Sequence, residues 1–75
     1  MTIDDIIQSE LKKHLAKIKR MENGGLHKMV MGAVEKSLVR LVIKETEGNQ
    51  SDAAKLLGIS RNTLRKKLQE YKIRH

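Results

Sequence analysis

Between Leu26 and Thr46 the apolar residues Leu26, Met29, Val30, Met31, Ala33, Val34, Leu38, Val39, Leu41, Val42 and Ile43 fall around well over half of a helical circumference. A helix covered on one side only does not carry so wide an apolar surface. The segment therefore reads as a central helix of about residues 26–46, buried by its own partner helices and by a second subunit. Composition sharpens this. The chain has 75 residues, no Cys, no Trp, no Phe and a single Tyr, so neither disulfides nor bulky aromatic side chains supply a core. A chain this short buries only about 60% of the surface its unfolded form exposes. A homodimer is expected, with its largest core between the two chains and with Ile7, Leu11, Val30, Val34, Leu38 and Leu41 in it.

The flanking segments are helical too, and Pro is absent. Ile3, Ile7, Leu11, Leu15 and Ile18 recur at spacings of four and three, which predicts one amphipathic helix over about 3–20. Thr2 stands at its N-cap, Asp4 and Asp5 in its first turn, and Lys17, Lys19 and Arg20 at its other end, as the helix dipole favours. Asn23-Gly24-Gly25 breaks the chain before the central helix, and Gly48 caps that helix at its C-terminus. After Gly48 the rhythm shortens. Asn49 is an N-cap with Asp52 placed to complete a capping box, and Ala53, Ala54 and Leu57 make a short helix that ends at Gly58. Ile59 plugs the turn, Ser60 caps the next helix, and Leu64, Leu68 and Tyr71 give it an apolar stripe. Two short helices across a tight Gly-containing turn are a helix-turn-helix signature. The expected organisation is a single structural domain, with dimerisation helices in 1–48 and the helix-turn-helix in 49–75.

Charge separates along the same line. The chain carries +7; residues 1–48 hold nine basic and seven acidic groups, whereas 49–75 hold seven and two. A polyanion is expected to meet the last third. A helix that enters the major groove needs long polar side chains near its N-terminus, and Ser60-Arg61-Asn62-Thr63-Leu64-Arg65-Lys66-Lys67 supplies them. Arg61 can donate bidentately to guanine and Asn62 can pair with adenine, with Thr63 and Lys66 in reach of the groove. Asn49, Gln50 and Ser51, at the start of the preceding helix, combine free N–H groups with short polar side chains that suit a phosphate. Arg65 lies within a turn of these residues, and Lys67 is expected at a phosphate.

Gly48-Asn49-Gln50, Ala53-Ala54, Leu57-Gly58-Ile59 and Arg61-Asn62-Thr63-Leu64-Arg65-Lys66-Lys67-Leu68, taken together in register, resemble the Fis family helix-turn-helix. The same module closes the chains of NtrC-type enhancer-binding activators. The resemblance covers about residues 26–73. It implies an all-α, four-helix homodimer with an intertwined core of helices one and two, whose last two helices enter successive major grooves of bent DNA. It places Arg61, Thr63 and Lys66 in the groove, and Asn49, Gln50, Ser51 and Arg65 mainly on the backbone. It implies duplex DNA as partner, with RNA polymerase or upstream regulatory domains besides, and a role in transcription regulation or nucleoid organisation. A free nucleoid protein and an excised activator domain both fit. Ser60 departs from the family's Asn, so no base contact is carried over to it; the chain starts almost directly at the helix where the family has a mobile β-hairpin arm, so recombinase stimulation is not expected.

Other classes find less support. His14 and His27 have no Cys or close carboxylate beside them, so no metal or other cofactor is expected. Ser9, Ser37, Ser51 and Ser60 have no His at a motif spacing, and no acidic pair stands in an apolar context, so an enzyme is not expected. Gly24-Gly25 lacks the strand and the Lys-Ser/Thr of a phosphate loop. The basic stretch Lys12–Arg20 suits an anionic membrane surface but has no Trp or Phe to anchor it. The longest apolar run, Met29–Val34, is too short to span a bilayer, and the acidic start is unlike a secretory signal; the expected location is cytoplasmic, on the nucleoid. A dimerisation module without DNA function is the other rival, and RNA is disfavoured by the lack of stacking aromatics.

Overall fold

A computed structural model describes all 75 residues, which form five helices and no strand. These are α1 (Ile3–Lys12), α2 (Leu15–Lys19), α3 (Leu26–Glu45), α4 (Gln50–Leu57) and α5 (Arg61–Glu70). The chain is all-α. It divides into two compact units, Met1–Val30 and Met31–His75.

In Met1–Val30 the expected capping at Thr2 is realised in full. The Thr2 hydroxyl accepts from the Asp5 N–H at 3.1 Å, and the Asp5 carboxylate accepts from the Thr2 N–H at 3.0 Å. Thr2, through its backbone N–H first and its side chain second, holds the Asp5 carboxyl below the usual carboxylate value. The single helix expected over 3–20 is instead broken at Lys13-His14, where i→i+3 bonds from Lys13 to Glu10 and from His14 to Leu11 tighten the chain. The apolar period runs through this break, so the periodicity gave no sign of it. Asn23 closes the breaker segment by accepting the Gly25 N–H on its side chain. No residue of α1 or α2 is buried.

Met31–His75 has a core of its own. Val39, Val42 and Ile43 of α3 meet Ala53 and Ala54 of α4, Leu64 and Leu68 of α5, and Ile73 beyond it, with Leu57, Ile59 and Tyr71 packed around them. This core lies within one chain, besides the larger one expected between two. The alanines explain the close approach: Ala53 is fully buried and Leu64 of α5 is too. Each of the three helices here ends in the same way. The residue after the last helical turn adopts a left-handed conformation, and the next N–H reaches back six residues' span to a carbonyl: Gly48 to Ile43, Ile59 to Ala54, and Ile73 to Leu68. The left-handed positions are Glu47 (φ 53), Gly58 (φ 74) and Lys72 (φ 54). Gly48 was the expected cap; it is left-handed as well (φ 82), but Glu47 makes the first such turn.

The remainder of α3 explains its wide apolar surface. With Val39, Val42 and Ile43 inward, Met31, Val34, Leu38 and Leu41 lie on a second stripe at helical spacing, and all four are exposed. Leu38 is 49% exposed and Leu41 55%. Of the six residues expected between two subunits, none is buried within the single chain.

Candidate nucleic-acid interface

The turn Gly58-Ile59-Ser60 sets α5 against α4. Gly58 supplies the left-handed turn, Ile59 packs against the core, and Ser60 starts the new helix by accepting the Thr63 N–H at 3.0 Å. The Ser60 hydroxyl in turn donates to the Thr63 hydroxyl at 2.9 Å. Leu64 and Leu68 then anchor α5 from beneath, both essentially without exposure. A helix held so firmly on one side must present its other residues outward.

Arg61, Asn62, Thr63, Arg65 and Lys66 are all exposed. Asn62 and Lys66, four apart, lie opposite Leu64, and Arg65 flanks them. Gln69 shares that outward face, seven residues from Asn62, and is exposed; the sequence reading left it out although its helical position points to it. The chain contains only two ion pairs, Lys13–Glu10 and Lys67–Glu35, so Arg61, Arg65 and Lys66 face solvent without a carboxylate partner. A positive surface that is not neutralised internally is what a polyanion can use.

Lys67 behaves differently. One residue from Lys66, it is rotated onto the flank of the anchoring stripe, is half-buried, and places Nζ 2.8 Å from Glu35 Oε1 on α3. Lys67, expected at a phosphate, makes this bond inside the chain. Its distance from Glu35 in sequence, 32 residues, hid this from any local pattern. The Tyr71 hydroxyl donates to the same carboxylate oxygen. These two bonds hold the Glu35 carboxyl below its usual range, and the neighbouring carboxylate pushes the Tyr71 phenol up to about 12.

At the start of α4, Asn49 accepts the Asp52 N–H on its side chain at 3.1 Å. Only this half of the expected capping box forms, because the Asn49 N–H donates to the Thr46 carbonyl instead of the Asp52 carboxylate. The first-turn N–H groups of Gln50 and Ser51 have no acceptor in the helix and are open to an anion. Asn49 is exposed, Gln50 and Ser51 half-buried. No three His, Cys, Asp or Glu side chains come together as metal ligands. No helix is long and apolar enough to cross a membrane.

Two short helices, a glycine turn, and an anchored second helix with an unpaired basic face define a helix-turn-helix protein. The pattern of bacterial regulatory proteins of the Fis family matches residues 31–71, from the exposed stripe of α3 through Tyr71. The chain is also similar to the DNA-binding protein Fis of Aliivibrio fischeri strain MJ11, with 39% identity over 67 residues that span 89% of this chain and 68% of that protein. The DNA-binding protein Fis of Vibrio cholerae is 40% identical and that of Proteus mirabilis 39%, over the same shares. The chain belongs to the Fis family, whose members are regulators and not enzymes.

Proposed function

We propose that the protein is a homodimeric bacterial regulator that binds duplex DNA through α5 and bends it, in transcription regulation or nucleoid organisation. The observation that carries the reading is α5 itself, whose Leu64 and Leu68 are buried while Arg61, Asn62, Thr63, Arg65 and Lys66 are exposed, the three basic ones without a carboxylate partner. Relatives that share 39–40% of their residues with it are DNA-binding proteins by name. In this reading Arg61, Asn62, Thr63 and Lys66 enter the major groove, and Asn49, Gln50, Ser51 and Arg65 hold phosphates. The work is done where DNA is, in the cytoplasm on the nucleoid.

Dimerisation follows from the uncovered stripe of α3. Met31, Val34, Leu38 and Leu41 lie on one exposed face, and burying a side chain of this kind contributes about 1.5–3 kcal/mol. A second copy presents the same stripe and is the simplest cover, since an isologous contact is self-complementary. Residues 1–48 then supply the dimer and 49–75 the DNA contacts. Few side chains of each α5 reach base edges, so selectivity comes in part from how easily a sequence bends.

The test is Arg61→Ala with Lys66→Ala. Each removes a groove contact worth about 1–3 kcal/mol, and together they are expected to lower affinity for a specific duplex by at least about a hundredfold. Sedimentation should show the dimer unchanged. Undiminished DNA affinity in the double variant would move the reading to a dimerisation module without DNA function.

A further inference from the structure

The only side-chain polar link between two different helices runs from α3 to the end of α5. Glu35 Oε1 accepts from Lys67 Nζ at 2.8 Å and from the Tyr71 hydroxyl. The partners lie 32 and 36 residues from Glu35 in sequence. The rest of what holds α5 is apolar: Leu64 and Leu68 share one core with Ala53 and Ala54 of α4 and Val39, Val42 and Ile43 of α3. Packed apolar side chains anchor α5, and the polar link adds a directional bond beside that anchor. A carboxylate shared by an ammonium and a phenol is short, charge-assisted and directional.

We propose that Glu35, Lys67 and Tyr71 form a clamp that fixes the angle of α5 on α3 and thereby sets the half-site spacing the dimer accepts. Lys67 is then a positioning residue, although it stands in the basic run beside Arg65 and Lys66. The proposal rests on the reading of the protein as a DNA-binding dimer. The geometry supports it at both ends. Lys67 in the last turn of α5 and Tyr71 at its C-cap are four apart and lie beside Leu64 and Leu68, so the clamp grips the end of the helix beside its anchor. Glu35 lies four residues before Val39, on the stretch of α3 that also bears the exposed Val34 and Leu38. A dimer built on those two residues would place the clamp between its interface and α5. Tyr71 is the only aromatic residue of the chain, and its hydroxyl is committed here.

The clamp and a phosphate contact make different predictions for one lysine. A residue that neutralises a phosphate contributes about 0.9 to the slope of log affinity against log salt, and a lysine held inside the chain contributes nothing. The experiment measures that slope for the dimer on its selected duplex, and then its affinity for duplexes with half-sites moved by one base pair. Arg65→Ala should lower the slope by about 0.9 for each subunit, while Lys67→Met leaves it at the wild-type value. Wild type should discriminate against the shifted spacing by on the order of tenfold, and Lys67→Met, Tyr71→Phe and Glu35→Ala should each reduce this to within about threefold. Glu35→Gln keeps an acceptor oxygen for both partners and should restore most of the discrimination. A slope lowered by Lys67→Met as it is by Arg65→Ala would overturn the clamp, and so would wild-type spacing discrimination in Glu35→Ala. Should Glu35→Ala fail to fold, Tyr71→Phe and Glu35→Gln carry the same comparison.

A DNA-free reading separates the two failures. Tyrosinate absorbance reports Tyr71 alone, since there is no other Tyr or Trp. With the clamp closed, the phenol ionises near 12 in wild type and falls toward its ordinary 10.0 in the Glu35 variants. The ordinary value in wild type would show that the clamp is open in solution and overturn the proposal. A raised value with no salt-dependent duplex binding would leave the clamp closed, and overturn the DNA reading and the spacing role with it.

Discussion

A carboxylate that accepts from an ammonium and a phenol ionises more easily than a solvated one, and Glu35 is held below its ordinary 4.5, by Lys67 first and Tyr71 second. Folding lowers this group, so the stability it contributes is complete above 4.5 and is lost as pH falls through the lower folded value. Tyr71 has the opposite sign. Folding raises it from 10.0 to about 12, so its contribution is complete below 10.0 and is lost as pH rises through about 12. The stability difference between wild type and Glu35→Gln is therefore expected to be flat from roughly pH 5 to 10 and to shrink on either side. Denaturant midpoints of the two proteins across pH check this; an undiminished difference at about pH 3 would contradict it. Glu10, lowered by its bond to Lys13, and Asp5, lowered by Thr2, act in both proteins alike and cancel in the difference.

At the scale of the helices, the three left-handed endings of α3, α4 and α5 carry unequal strain. Gly58 adopts its conformation freely, whereas Glu47 and Lys72 crowd a Cβ against the following carbonyl. Nothing lies within 4 Å of where a Gly58 Cβ would stand, so Gly58→Ala should cost about 1 kcal/mol through the backbone alone. Glu47→Gly relieves strain and should stabilise by up to about 1 kcal/mol. Thermal unfolding of the two variants at one protein concentration checks the pair, and equal signs would contradict the argument. These endings also show what could be read from the sequence. Thr2, Asn49, Gly58 and Ser60 were legible because a cap depends on residues three or four away. Leu64 and Leu68 were legible as the buried side of α5, because a helical period is local. The break at Lys13-His14 was not, since no Gly or Pro marks it and the apolar period runs on through it. Ile73 was missed because it is buried by the turn at Lys72, outside any periodic run. The Lys67–Glu35 bond was not legible for a different reason: the partner stands on another helix, and only the packed core brings Glu35 to Lys67.

At the scale of the whole molecule, two kinds of apolar surface lie on one helix. Val39, Val42 and Ile43 are covered within the chain, and Met31, Val34, Leu38 and Leu41 are not. Leu38→Asp should therefore separate the subunits without emptying the core of Met31–His75. The expected product is a monomer at every concentration with a lower unfolding temperature, while the wild-type temperature rises with concentration as mass action requires. Sedimentation combined with thermal unfolding checks this, and a dimer that survives Leu38→Asp would move the interface elsewhere. In the proposed reading two copies present two α5 helices to one duplex. Selection of bound duplexes from a random pool at moderate salt, followed by sequencing, tests it most directly. The expected result is a two-fold symmetric consensus, with half-sites about one helical turn apart on one face of bendable DNA. No enrichment at all, with the dimer intact, would contradict it.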